Sequence, residues 1–488
     1  MIDLTVYPEQ LERTVKWCKE RDIVIPTFAQ MKNPKDIPSK TKQKLKQTGL
    51  WDVAPQNLFR ITWKNEPQER GGLFRDLANY VEIPHELTGV EARIFALVGK
   101  WFPTGAHKVG ATFGCLVPPL VTGQFEPSRH KAVWPSTGNF CRGGAYTASL
   151  LGCESIAILP EGMSQERFDW LKTVAGEIIA TPGSESNVKE IYDEVWRLKK
   201  TRKDIFVFNQ FAEFGNYLFH YDVTGHAMEE IVKREVGKGA YHGVCLTTGS
   251  AGTIATGDYM KQAYPESKIA AGEAVQCPTL LLNGFGAHRI EGIGDKHVPW
   301  VHNIRNTDMV IAIDDNDTIN LLRLFNEPRG REYLNQVLGV PSDFVDKIDW
   351  LGISSIANML MCIKFAKYFE LSSKDMLLTV FTDSFDMYKS RLAEARNRHG
   401  EYSRENAIGD YQRHLAGIRT DSMMELTHMD RKRIHNLKYY TWIEQQMFKV
   451  EDLDRQWYDY PQYWTSIQKL VPQIDRLISQ FNEKVGLL

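Results

Sequence analysis

Between residues 131 and 208, short apolar runs alternate with amphipathic stretches about a dozen residues long, and this rhythm limits the fold more than any other feature. Strands are expected at 131–134, 155–159, 177–181 and 204–208, with helices at 139–151, 164–175 and 187–200 between them. Strands separated by single helices pair in parallel through right-handed crossovers. The pattern resumes with strands at 243–247, 268–273, 308–313 and 376–381 and helices at 251–264, 318–325 and 354–369. A chain of 488 residues exceeds what one core usually holds. Two successive α/β blocks predict two lobes with a cleft between them, and ligands of open α/β sheets sit at the carboxyl ends of the strands.

Composition narrows the function classes. The formal net charge is −2, so nothing points to nucleic acid or an anionic membrane as a partner. The basic clusters Lys199-Lys200-Thr201-Arg202-Lys203 and Arg431-Lys432-Arg433 read as solvated faces. Seven scattered cysteines without a C-x-x-C pair indicate a reducing compartment and neither a disulfide framework nor a metal site. The longest apolar stretch, 354–369, carries Lys364 and Lys367 and falls short of the roughly 20 residues of a membrane span. Met1-Ile2-Asp3-Leu4 lacks a signal-peptide pattern, so a cytoplasmic protein is expected.

Four segments fall at or near strand ends and carry chemistry. Pro103-Thr104-Gly105-Ala106-His107-Lys108-Val109-Gly110 sets one lysine among small residues. Pro135-Ser136-Thr137-Gly138-Asn139 joins a strand to a helix, where N–H groups and hydroxyls suit a carboxylate. Asn139 could reach a ring hydroxyl. Gly249-Ser250-Ala251-Gly252-Thr253 offers backbone N–H groups and two hydroxyls at a helix start, which suits a phosphate. Gly352-Ile353-Ser354-Ser355 places a hydroxyl where a pyridine nitrogen could meet it. Each alone is an ordinary loop, turn or N-cap. Together, in this order, they suggest pyridoxal 5'-phosphate held by Lys108 as a Schiff base, with His107 facing the phosphate.

These segments resemble the fold-type II pyridoxal-phosphate enzymes, most closely the cysteine synthase and cystathionine β-synthase branch of the tryptophan synthase β-like group. Three more motifs extend the resemblance. They are Pro160-Glu161-Gly162-Met163-Ser164-Gln165-Glu166-Arg167, Asn209-Gln210-Phe211 and His288-Arg289-Ile290-Glu291-Gly292-Ile293-Gly294. The resemblance implies a two-lobed parallel-sheet α/β fold. It also implies Lys108 as the catalytic lysine, with His107, Asn139, Gly249, Ser250, Ala251, Gly252, Thr253 and Ser354 around the cofactor. Ser136, Thr137, Gly138 and Gln210 would bind the substrate carboxylate. Thr382 or Ser384 is a second placement for the ring-nitrogen partner.

Departures from the family pattern are Ser250 and Ala251 where glycine is usual, Ile356 in place of a glycine, an insertion at 326–349, and extra residues at both ends. The cysteine-proline haem motif is absent, so no haem is expected. The expected organisation is a lead-in over 1–65, a catalytic region over 66–390 with a smaller mobile lobe at 131–225, and a helical extension over 391–488. The expected reaction is β-replacement on a small amino acid through an aminoacrylate, in a homodimer. β-Elimination is the alternative. A dinucleotide-binding oxidoreductase is weighed against the absence of G-x-G-x-x-G, and a non-catalytic cofactor-binding relative is a third possibility.

Overall fold

The computed structural model describes residues 1–66, 72–136 and 138–487. Among them, eleven strands form two sheets. The smaller sheet uses β3 (Lys131–Pro135), β4 (Ser155–Pro160), β5 (Glu177–Thr181) and β6 (Ile205–Val207), in the order β5-β4-β3-β6, all parallel. The larger sheet uses β1 (Tyr80–Ile83), β2 (Arg93–Val98), β7 (Ala240–Thr247), β8 (Lys268–Ala274), β9 (Met309–Ile313), β10 (Asp375–Phe381) and β11 (Met423–Glu425). Their order is β1-β2-β10-β7-β8-β9-β11, parallel except for the two edge strands.

The pleat explains the continuous apolar runs. In β3 and β4, Val133, Ile156 and Ile158 face one way and pack on Ile191, Val195 and Leu198 of the Val188–Thr201 helix. Ala132, Trp134, Ala157 and Leu159 face the other way, into the main core. In β2, Ile94, Ala96 and Val98 point into a second core, while Phe95 and Leu97 join the main one. Sheets covered on both faces need apolar residues at nearly every position.

The Lys108–Val121 helix runs through the main core and is buried along almost its whole length. It lies so close to the Phe214–Leu218 helix that a Cβ on Gly114 would sit 2.2 Å from the Gly215 carbonyl. Glycine here permits backbone-to-backbone contact that fixes the second turn of the helix, the one after the turn that holds Lys108.

The sequence pattern anticipates the strands from β3 to β10 but misses three others. β1 and β11 are short edge strands, and the helix before β2, His85–Thr88, is only four residues long and too short to set a rhythm. β11 lies within the extension expected to be helical and pairs antiparallel with β9, Met424 opposite Val310. The expected helix at 251–264 begins as a 3-10 turn, Gly252–Ile254, before Ala255–Ala263. The 326–349 insertion folds as helices Pro328–Gln336 and Ser342–Val345, whose Leu334 and Phe344 enter the second core.

Both ends of the chain are bound to the centre. Asn482 exchanges hydrogen bonds of 3.0 and 2.8 Å with the backbone of Ile25. Lys438, fully buried, donates to the carbonyls of Trp300 and His302 and to Gln456 Oε1. All seven cysteines are free and buried. Among the described residues no helix is long and apolar enough to cross a membrane.

Candidate active site

Lys108 opens its helix after an unusual stretch of backbone. Thr104 and Gly105 both have left-handed φ, +69° and +68°. For a β-branched residue this is a strained conformation. The strain turns the chain so that the Lys108 side chain runs into the space between the two sheets' loops.

The Lys108 amine donates to Ser250 Oγ at 2.7 Å and to Gln210 Oε1 at 3.2 Å. Both partners are neutral. Burial therefore dominates and pushes the amine down to about 8, with Asp295 pulling it partly back. Gln210 Nε2 in turn donates to Ser136 Oγ at 3.2 Å, and the Gly138 N–H reaches the same oxygen at 3.1 Å. Asn216 Nδ2 donates to Ser250 Oγ at 3.0 Å. Residues from three of the predicted segments thus meet at one amine. Thr137 lies outside the described residues.

The glycine-rich turn follows β7 directly. Ala251, in a position where the family prefers glycine, has φ +58° and is buried. Its Cβ is carried in a left-handed conformation that costs roughly 1–2 kcal/mol for a residue other than glycine. A Cβ on Gly252 would come within 2.1 Å of Asn216 Oδ1, and one on Gly249 within 2.7 Å of the Gly292 carbonyl. The 288–294 motif therefore backs this turn, and the Gly294 N–H donates to the Thr248 carbonyl at 2.7 Å.

His107 is buried at the start of the Lys108 helix. Its backbone N–H donates to the Thr382 carbonyl, its Nε2 lies 3.3 Å from Thr382 Oγ1, and its ring packs against Trp63 and His220. Burial, helped by the nearby Lys108 charge, lowers it to about 3, so the imidazole is neutral.

Ser354 is buried, and its Oγ has no partner among the described residues. The two other hydroxyls weighed for the same task are engaged, Thr382 with His107 and Ser384 with Asp386 Oδ2 at 3.2 Å. Asn139 starts its helix and donates through Nδ2 to Asp383 Oδ2 at 2.6 Å.

Two carboxyls belong to this region that the sequence motifs did not single out. Asp295 follows the 288–294 motif, is buried with Oδ2 unpartnered, and is raised to about 7 by burial against the pull of Lys108. Asp383 is fully buried and receives Tyr388 OH at 2.8 Å besides Asn139. Its signal was its place between the two hydroxyl residues already under scrutiny.

Glu291 of the 288–294 motif is an anchor. It pairs with buried Arg167, accepts the Ser164 N–H at 3.2 Å, and accepts from Arg391 Nε at 2.6 Å. Beside it, Gly162, Glu185, His288, Arg323 and Arg398 line part of a cavity of about 490 Å³. The residues gathered here fit pyridoxal phosphate. Among the described residues they supply a buried amine with no carboxylate hydrogen-bonded to it, an unpartnered buried hydroxyl at Ser354, and a turn of backbone N–H groups at a helix start.

Comparison with known proteins agrees. The family profile described as pyridoxal-phosphate dependent enzyme matches residues 88–331, half of the chain. A probable cysteine synthase of Bacillus subtilis is 25% identical over 241 residues, 48% of this chain and 74% of that protein. A cysteine synthase of Staphylococcus aureus is 28% identical over 259 residues, 53% of this chain and 75% of that one. A hydrogen sulfide-producing enzyme from Fusobacterium nucleatum shares the fold with a TM-score of 0.54 at 23% identity, over 63% of this chain and 95% of that one. The chain belongs to the pyridoxal-phosphate dependent enzyme family, with the fold-type II architecture of its cysteine synthase branch.

Proposed function

We propose that this protein replaces the β-substituent of a small amino acid with sulfide or a thiol, as its cysteine synthase relatives are named for doing. One observation carries the reading. The Lys108 amine is buried, depressed to about 8, and held, among the described residues, by the neutral groups of Ser250 and Gln210. Such an amine can both attach an aldehyde and later act as a base near neutral pH.

In this reading Lys108 carries the cofactor, and Gly249, Ser250, Ala251, Gly252 and Thr253 hold its phosphate. Asn139 meets the ring hydroxyl, Ser354 the ring nitrogen, and His107 faces the phosphate. When bound, pyridoxal phosphate supplies an electron sink for the α-carbon, and a hydroxyl at its ring nitrogen keeps that sink weak, which favours β-loss over transamination.

Ser136, Gly138 and Gln210 orient the substrate carboxylate. Gln210 exchanges its present bond to Ser136 for the incoming anion. Lys108 Nζ takes the α-proton. Asp295, with its apparent value near 7, takes the proton of the incoming nucleophile. Closure of the 131–225 lobe onto the rest of the 66–390 region excludes water from this step. The same reading includes a homodimer and a reducing cytoplasm, and the seven buried free thiols accord with the second of these.

The test is a product analysis. Purified holoenzyme is given O-acetylserine, serine or cysteine, each with and without sulfide. A new amino acid formed only in the presence of sulfide supports replacement. Oxo acid and ammonia, with or without sulfide, would establish elimination instead.

A further inference from the structure

The chain of buried polar groups around Asp383 has a purpose beyond holding the two sheet units together. Asp383 follows β10 of the larger sheet, and its carboxylate has no exposed surface. Oδ2 accepts from Asn139 Nδ2 at 2.6 Å and from Tyr388 OH at 2.8 Å. Oδ1 has no hydrogen-bond partner among the described residues and lies against the backbone of Gly352, where a Cβ would come within 1.9 Å of it. Arg167 reaches in from the smaller sheet's side, with Nη2 3.0 Å from Tyr388 OH and 3.8 Å from Asp383 Oδ2. A carboxylate buried this deeply is costly unless a paired charge and hydrogen bonds compensate it. Only one of its two oxygens is compensated in that way.

The consequence falls on Asn139. A side-chain amide has a donor end and an acceptor end that differ little in shape. An ionised carboxylate accepts only, so it selects the NH2 end of the amide. The Asn139 Oδ1 then faces Arg142 Nη1, at 3.5 Å, which favours the same orientation. One N–H of Nδ2 is used by Asp383 and the other remains. That second N–H is a donor of fixed direction at the start of the Asn139–Leu150 helix.

We infer that Asp383 is a positioning residue that locks the Asn139 amide as a hydrogen-bond donor toward the ring oxygen of the cofactor. The inference rests on the cofactor role given to Asn139 above. It also explains why the bond spans the two units. Asn139 and Arg167 arrive on helices of the smaller sheet, and Asp383 and Tyr388 come from the larger, so the donor is set only when the units are docked.

The test reads the dissociation constant of pyridoxal phosphate by absorbance titration, with thermal unfolding of each apoprotein as the folding control. Asn139→Ala is expected to weaken cofactor binding about tenfold, the worth of one well-made hydrogen bond. Asp383→Ala is expected to weaken it similarly, and the double variant no more than the worse single one. Tyr388→Phe, which removes the other donor to Oδ2, is expected to leave the constant within about threefold. The swap Asn139→Asp with Asp383→Asn rebuilds the bond between the units with its direction reversed. It is expected to restore unfolding temperature without restoring cofactor affinity, and it decides the matter even if Asp383→Ala does not fold. Restored affinity in the swap, or multiplying effects in the double alanine variant, would overturn the inference while leaving the cofactor role of Asn139 intact. An Asn139→Ala protein that binds cofactor normally would remove that role, and the inference with it.

Discussion

The depressed Lys108 amine makes a quantitative prediction about how the apoprotein captures its cofactor. Only the unprotonated amine attacks an aldehyde. With the amine at about 8, the reactive share is about one-tenth at pH 7, half at pH 8 and nine-tenths at pH 9. The capture rate should therefore rise about tenfold between pH 7 and 9 and then level off. A solvated lysine near 10.4 would give a rise of about a hundredfold over the same range with no plateau. The assay is stopped-flow absorbance in the near-visible after mixing apoprotein with pyridoxal phosphate at constant ionic strength. The same titration with a small free amine corrects for ionisation of the aldehyde itself. Asp295 supplies the sign check. Its charge raises Lys108, so Asp295→Asn should move the midpoint below 8 and speed capture at pH 7. A rate still climbing at pH 10, or a midpoint displaced upward by Asp295→Asn, would refute the argument that burial sets this amine.

Two further outcomes concern the bridge between the sheet units. Arg167→Ala leaves Glu291 and Asp383 buried beside the space the guanidinium filled, and should cost about 3–5 kcal/mol of stability in urea unfolding. A loss below about 1 kcal/mol would mean the pair is far better hydrated than its burial indicates. Gly352→Ala forces a methyl group against Asp383 Oδ1 and to 2.9 Å from the Tyr388 ring, and should cost about 1–3 kcal/mol in thermal unfolding of the apoprotein. Unchanged stability there would show that the Asp383 carboxylate moves aside freely.

Much of the frame was legible because parallel strands buried on both faces announce themselves. Val133, Ile156 and their neighbours form runs with no polar alternation, and the helices between them have one apolar face. What escaped was set by distant pairing. Met423–Glu425 is three residues long and becomes a strand only because β9 presents an open edge. The site divides in the same way. Lys108, Gln210, Ser136 and Ser250 were each marked by a local motif, and the fold brings them into contact. Asp383 and Asp295 were not, because a carboxylate shows its importance through burial and through what faces it. Neither property is written in the neighbouring residues. Glu291 sits in a motif noted for its resemblance alone, and its burial against Arg167 and Arg391 adds that it fastens one unit to the other while also lining the cavity.

The short strand contributed by the C-terminal extension alters what a trimmed version of this protein would be. β11 occupies the outer hydrogen-bonding row of β9, and Lys364 and Lys367 hold the chain leading to it through the carbonyls of Asp421 and Ile418. Cut back to residue 390, the molecule would keep every group assigned here to cofactor or substrate. It would also present a bare row of amides and carbonyls to any passing chain, an invitation to edge-to-edge association. Covering that edge, then, is one task the extension performs.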